Sequence, residues 1–162
     1  MYQILQFQLK KNRQNEFEWR TTVFVGSKRI LYVPDRRIGL NPSSADEVWL
    51  CEVENEVYKN KNGAFTIQCV RLLQVVLEAE QILTFFYSTK DGKGWWRAHL
   101  TAPEGCPLDF FVCRTFKDKE RFGLEPDKQI WRCQFIKMIV LNQEKKCATL
   151  AFEPIEYLKG GL

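Results

Sequence analysis

Histidine is nearly missing from this chain: His99 is the only one in 162 residues, beside two methionines. The six cysteines stand at 51, 69, 106, 113, 133 and 147, and none form a Cys-x-x-Cys pair. A zinc site of ordinary ligand spacing is therefore not expected, and neither is any other metal or cofactor. No GxSxG, GxxxxGK[ST], HExxH or GxGxxG stretch occurs, so the motifs that announce common enzyme chemistries are missing too. No run of about 18 apolar residues is present, so no membrane span is expected. Met1-Tyr2-Gln3-Ile4 does not read as a basic stretch before an apolar core, and no secretory signal is expected. Those two absences point to a cytoplasmic protein with reduced thiols. Strong charge of one sign is also lacking. Twenty-four Lys and Arg face twenty Asp and Glu, for a net charge of +4, which permits a polyanionic partner without demanding one.

A repeat is present. Val48-Trp49-Leu50-Cys51-Glu52-Val53 reappears roughly 80 residues later as Ile130-Trp131-Arg132-Cys133-Gln134-Phe135. Both stretches alternate apolar and polar residues, the period of a half-buried strand. Further matches keep the same order. Gln3-Ile4-Leu5-Gln6-Phe7 matches Gln81-Ile82-Leu83-Thr84-Phe85, and Trp19-Arg20 matches Trp96-Arg97. Tyr32-Val33 matches Phe111-Val112, Gly39-Leu40-Asn41-Pro42 matches Gly123-Leu124-Glu125-Pro126, and Thr66-Ile67 matches Thr149-Leu150. The chain reads as two copies of one unit, residues 1–78 and 79–162.

Each unit carries five strand-like stretches. In the first they are 2–9, 17–25, 29–34, 48–54 and 64–73; in the second, 80–88, 95–101, 108–114, 130–141 and 147–153. Apolar spacing over 71–79 also admits a short helix, which the repeat overrides. Asn62-Gly63 and Asp91-Gly92 mark hairpin turns. Residues 35–47 read as a loop with room for one helical turn, and 115–129 form a longer, charged connection. Cys51, Cys69 and Cys133 fall on inward positions, where a thiol behaves as a small apolar group.

Five strands, a long connection after the third and a hairpin between the fourth and fifth resemble an OB-fold barrel. The expected fold is therefore all-β, as two tandem five-stranded OB-like barrels. SH3-like barrels or one ten-stranded sandwich are the rivals. The resemblance implies a ligand face on strands two and three, which in OB-folds takes oligonucleotides or oligosaccharides.

Alternation places Trp19, Val23, Val25, Leu31 and Val33 inward in the first unit. Arg20, Thr22 and Phe24 then face outward with Tyr32 beside them. In the second unit Trp96, Ala98, Leu100, Phe110 and Val112 face inward, and Trp95, Arg97, His99 and Phe111 outward. Rings can stack bases and cations can follow phosphates. Lys10, Lys11 and Arg13 at the first hairpin tip, and Arg36 and Arg37 after the third strand, add positive charge. Lys90, Lys93, Arg114, Lys117, Lys119 and Arg121 occupy matching regions of the second unit.

Catalysis finds little support. A lone histidine on a strand is usually structural. Cys113 beside Arg114 lacks a base, and Glu52, Glu54 and Glu56 at period two read as a solvated strand face. The expectation is a non-enzymatic protein that binds single-stranded RNA or DNA, or a nucleoprotein complex. The alternative is an adaptor or accessory subunit whose aromatic faces dock a protein partner, since the same residue types are enriched at protein interfaces.

Overall fold

The computed structural model describes residues 1–54, 58–59, 65–90, 93–101, 104–114 and 128–161. At 25, 58–59, 65–70, 88–90, 93–95, 113–114 and 160–161 it describes the backbone alone. The turns at Asn62-Gly63 and Asp91-Gly92 and most of the 115–129 connection lie outside the described residues. The chain is all-β and divides into two units, Met1–Leu77 and Glu78–Leu162.

The first unit contains β1 (Tyr2–Gln6), β2 (Gln8–Lys11), β3 (Phe17–Val25), β4 (Lys28–Pro34), β5 (Glu47–Val53), β6 (Tyr58–Lys59) and β7 (Phe65–Glu78). β7 continues as strand through the stretch whose spacing also admitted a helix. Neighbouring strands run in the order β1-β5-β7-β4-β3-β2, with β6 on β7. Only Phe7 separates β1 from β2 in the chain, so the two ends of this path are consecutive in sequence.

One 3-10 turn, Arg36–Ile38, follows β4. Asp35 caps it by accepting the Arg37 backbone N–H at 2.9 Å, as short polar side chains do at helix starts. Gly39 ends it at φ 66° and donates its N–H to the Arg36 carbonyl, a left-handed conformation that glycine adopts without steric cost.

The second unit contains β8 (Glu80–Lys90), β9 (Lys93–Leu100), β10 (Asp109–Arg114), β11 (Lys128–Asn142) and β12 (Cys147–Gly161). These five strands close a barrel in the order β10-β12-β11-β8-β9. Its interior is built by alternation: Trp96, Ala98 and Leu100 on β9, Phe110 and Val112 on β10, and Trp131, Cys133 and Phe135 on β11 are all buried.

The two units pair their strands on the same rungs. Gln3 stands opposite Cys51 and Leu5 opposite Trp49, while Gln81 stands opposite Cys133 and Leu83 opposite Trp131. β4 and β7 pair in parallel, as β10 and β12 do. Thr21 faces Tyr32 and Val23 faces Ile30, where the second unit has Ala98 facing Val112 and Leu100 facing Phe110. By this register it is Leu31-Tyr32, rather than Tyr32-Val33, that stands where Phe111-Val112 stands.

Tyr32 is accordingly a correction to the expected outer face. It is only 5% exposed and belongs to the first unit's core with Leu5, Phe7, Cys51 and Val53. Trp19, Val23 and Ile30 pack against that core. Residues 30–34 are apolar at nearly every position, so alternation could not tell which parity points in. Pairing with β3 decides it and turns Leu31 and Val33 the other way. Leu9, which has the same parity as the buried Leu5 and Phe7, is exposed. The interruption at Phe7 separates β2 from β1 and lets β2 follow β3 instead of β5.

Candidate nucleic-acid interface and first-unit cavity

The outer face of the second unit is assembled by β8 changing partners. Its first half pairs with β11 and its second half with β9, and Phe86 stands at the crossover. Phe86 is opposite Lys128 on one side and opposite Arg97 on the other. A row of Lys128, Phe86 and Arg97 therefore crosses three strands. The Lys128 ammonium lies 5.8 Å from the Phe86 ring centroid, within cation–π range. Two residues further along β9, His99 is opposite Phe111 on β10, with ring centroids 5.6 Å apart and edge-to-face. Phe86 and Phe111 are 49% and 48% exposed, so each ring keeps a free surface for stacking.

Charge on this face is partly spent and partly available. Arg132 holds Glu80 at 3.5 Å and Glu156 at 3.2 Å. Arg97 is exposed and holds no carboxylate among the described residues. The face thus offers two rings, a free guanidinium, an ammonium and an imidazole. Phe86 and Lys128 were not among the expected site residues. Phe86 could have been found by carrying the Phe7–Phe85 match one residue further, since a neighbour of an inward residue on a strand points outward. Nothing local in the sequence marks Lys128 as its partner.

Trp95 pairs with Ser88 through the backbone, and its side chain lies outside the described residues, as do those of Lys90, Lys93 and Arg114.

The corresponding face of the first unit is different. Gln8 stands opposite Arg20 where Phe86 stands opposite Arg97. Phe24 is exposed and stands opposite Arg29 near the β3–β4 turn. The expected cations are largely engaged. Arg20 lies 3.9 Å from Glu18, and Arg36 is bonded to the same carboxylate. Arg37 reaches both oxygens of Asp35, at 3.1 and 2.9 Å. Asp35 itself is buried, and its carboxyl is held below the usual range by the hydrogen bonds from Arg37. Lys10 is opposite Glu18, Lys11 lies 5.4 Å from the Phe17 ring centroid, and Arg13 is exposed at the tip. A guanidinium already on a carboxylate has less to give a phosphate.

Beside these groups the first unit holds a cavity of about 540 Å³. The tip after β2, the start of β3 and the segment from Val33 to Asn41 enclose it. Its walls are the apolar parts of Leu9, Phe17, Trp19, Val33 and Pro34. Its polar groups are Glu16, Glu18, Asp35, Arg36, Arg37 and Asn41.

Four thiols lie among the described side chains. None of the four is in a disulfide: Cys51 and Cys133 are buried, and Cys106 and Cys147 are half-buried. Burial pushes the Cys133 thiol up to about 12, away from a reactive thiolate. Among the described residues no group of three or more His, Cys, Asp or Glu could hold a metal ion, and no helix is long and apolar enough to cross a membrane. Compared with protein-family models, curated proteins and solved structures, the chain matches none.

Proposed function

We propose that the chain is two tandem copies of one five-stranded OB-like barrel and that it binds single-stranded nucleic acid, RNA or DNA, without catalysing a reaction. The OB-like reading rests on strand order. Joining β1 and β2 across Phe7 gives the first unit the same cyclic order as the closed second unit. Equal rungs in the two units support descent from one duplicated segment. In such barrels the outer face of strands two and three is the ligand face, which here means β9 and β10 with the adjoining part of β8.

The observation that carries the binding reading is the Lys128–Phe86–Arg97 row beside the His99–Phe111 pair. Exposed rings accept bases from any sequence, and unpaired cations follow the backbone. The second unit is then the principal binding unit, because its face carries the rings and its Arg97 holds no carboxylate among the described residues. Fluorescence anisotropy with labelled single-stranded DNA, single-stranded RNA and duplex across a salt series tests this. Micromolar or tighter binding to single strands that weakens steeply with salt is expected. A flat response at every salt overturns it.

A protein partner is the second reading, and one observation favours it. Ile136, Ile139 and Val140 on β11, and Ile155, Tyr157 and Leu158 on β12, are exposed together with the face above. Exposed apolar side chains on two paired strands suit a docking partner. Self-association of the purified chain, with no retardation of oligonucleotides, would favour the adaptor.

A further inference from the structure

The cavity of the first unit has a chemistry that the second unit's face does not share. Its carboxylates outnumber its guanidiniums, three to two. Asp35 is committed to Arg37, and Glu18 to Arg36. Glu16 is exposed and its carboxylate has no partner among the described residues. A bare phosphate is therefore a poor occupant. Phe17 is 63% exposed, with Lys11 already near one side of its ring. Trp19 forms a half-buried wall. The occupant that fits is planar and apolar on its faces. Along its edge it carries donors for a carboxylate and acceptors for a guanidinium. The volume is in the range of small-ligand pockets.

Among nucleobases, guanine meets that description. Its N1–H and N2–H2 stand side by side, matching the two oxygens of one carboxylate. Its O6 and N7 accept from an arginine fork. Adenine and cytosine each set a ring-nitrogen lone pair beside their amino group, which a carboxylate repels. Uracil and thymine flank their single N–H with two carbonyl oxygens. We infer that this cavity is a pocket for a single guanine base, with Glu16 accepting from N1 and N2 and the Nε and Nη1 donors of Arg36, which its contact with Glu18 through Nη2 leaves over, reaching the O6/N7 edge. The inference rests on the nucleic-acid reading for its biological ligand, and it gives the first unit a base preference of its own.

The test separates the two ideas. Guanosine, inosine, adenosine, cytidine and uridine monophosphates are titrated into the intact protein and into Glu16→Gln by isothermal calorimetry, and oligo(dT) binding is measured in parallel. Guanosine monophosphate is expected to bind at least about tenfold more tightly than inosine monophosphate, which lacks the N2 amino group. Glu16→Gln is expected to erase that difference, because an amide cannot accept both N–H groups. Glu16 is exposed, so this variant is expected to fold. Equal binding of all five, or none of any, overturns the pocket even if oligo(dT) still binds. A guanosine preference that survives in Glu16→Gln overturns the assignment of Glu16. Loss of oligo(dT) binding alone overturns the strand-face reading and leaves the pocket standing.

Discussion

The indole N–H of Trp131 donates to Oε1 of Gln129 at 3.0 Å, two residues back on the same strand. The first unit repeats the bond with a carboxylate, from Trp49 to Oε2 of Glu47 at 3.1 Å. Gln129 is among the few buried polar side chains. An orphaned buried donor costs about 1–3 kcal/mol, so Gln129→Leu is expected to destabilise the second unit by that order in urea titrations. Glu47→Gln keeps an acceptor for Trp49 and is expected to cost under about 1 kcal/mol.

Tyr32 is predicted to matter for stability and not for binding. Removing a buried aromatic leaves a cavity and costs roughly 3–5 kcal/mol. Tyr32→Ala is therefore expected to lower the denaturation midpoint sharply. Tyr32→Phe, which keeps the ring, is expected to bind single strands like the parent. Selective loss of oligonucleotide affinity in Tyr32→Phe would contradict the buried placement.

Arg97 and Arg20 occupy matching rungs but are predicted to differ in effect. Arg97→Ala is expected to weaken single-strand binding several-fold and to lower the salt slope by about one unit. Arg20→Ala, which removes a guanidinium already beside Glu18, is expected to change affinity by less than about twofold. Phe86→Ala and Phe111→Ala each remove a stacking ring, expected to cost about 1–3 kcal/mol. Anisotropy titrations on the four variants decide the ranking.

Cys133 makes stability depend on alkaline pH. Its folded thiol titrates near 12, while a thiol in the unfolded chain titrates near its ordinary value of 9.0. The contribution is complete below that ordinary value and is lost as pH rises toward the folded one, at a ceiling of about 1.4 kcal/mol per unit. Urea unfolding at pH 8 and pH 10 is expected to show a larger loss for the parent than for Cys133→Ala. Iodoacetamide at pH 8 is expected to label Cys106 and Cys147 before Cys51 and Cys133.

Strands were legible in the sequence wherever one parity alone is apolar. Cys133 and Phe135 could be placed inside from alternation, and so could Ala98 against Arg97. At Ile30 to Pro34 both parities are apolar, and only the rung shared with β3 puts Tyr32 in the core. β12 was read too short because Ile155 to Lys159 lie exposed along β11 and carry no burial pattern. The site was less legible than the strands. Glu18, the partner of Arg20, stands two residues back on the same strand and was there to be read, whereas the Lys128–Phe86 pairing across β11 and β8 is a property of register.

The parallel pairing of β4 with β7, and of β10 with β12, carries a consequence for the order in which the chain is made. Ile30 meets Phe65, and Asp109 meets Cys147, so neither the first unit's sheet nor the second unit's barrel is complete until its last strand has been synthesised. Long-range pairing of this kind slows folding. A growing chain holds the first four strands without β7 until residues near 69 are available, then can complete the first sheet while the second unit is still being translated. Premature termination between Pro34 and Phe65 would release a product with an uncovered β4 edge, which is where aggregation of truncated chains should begin.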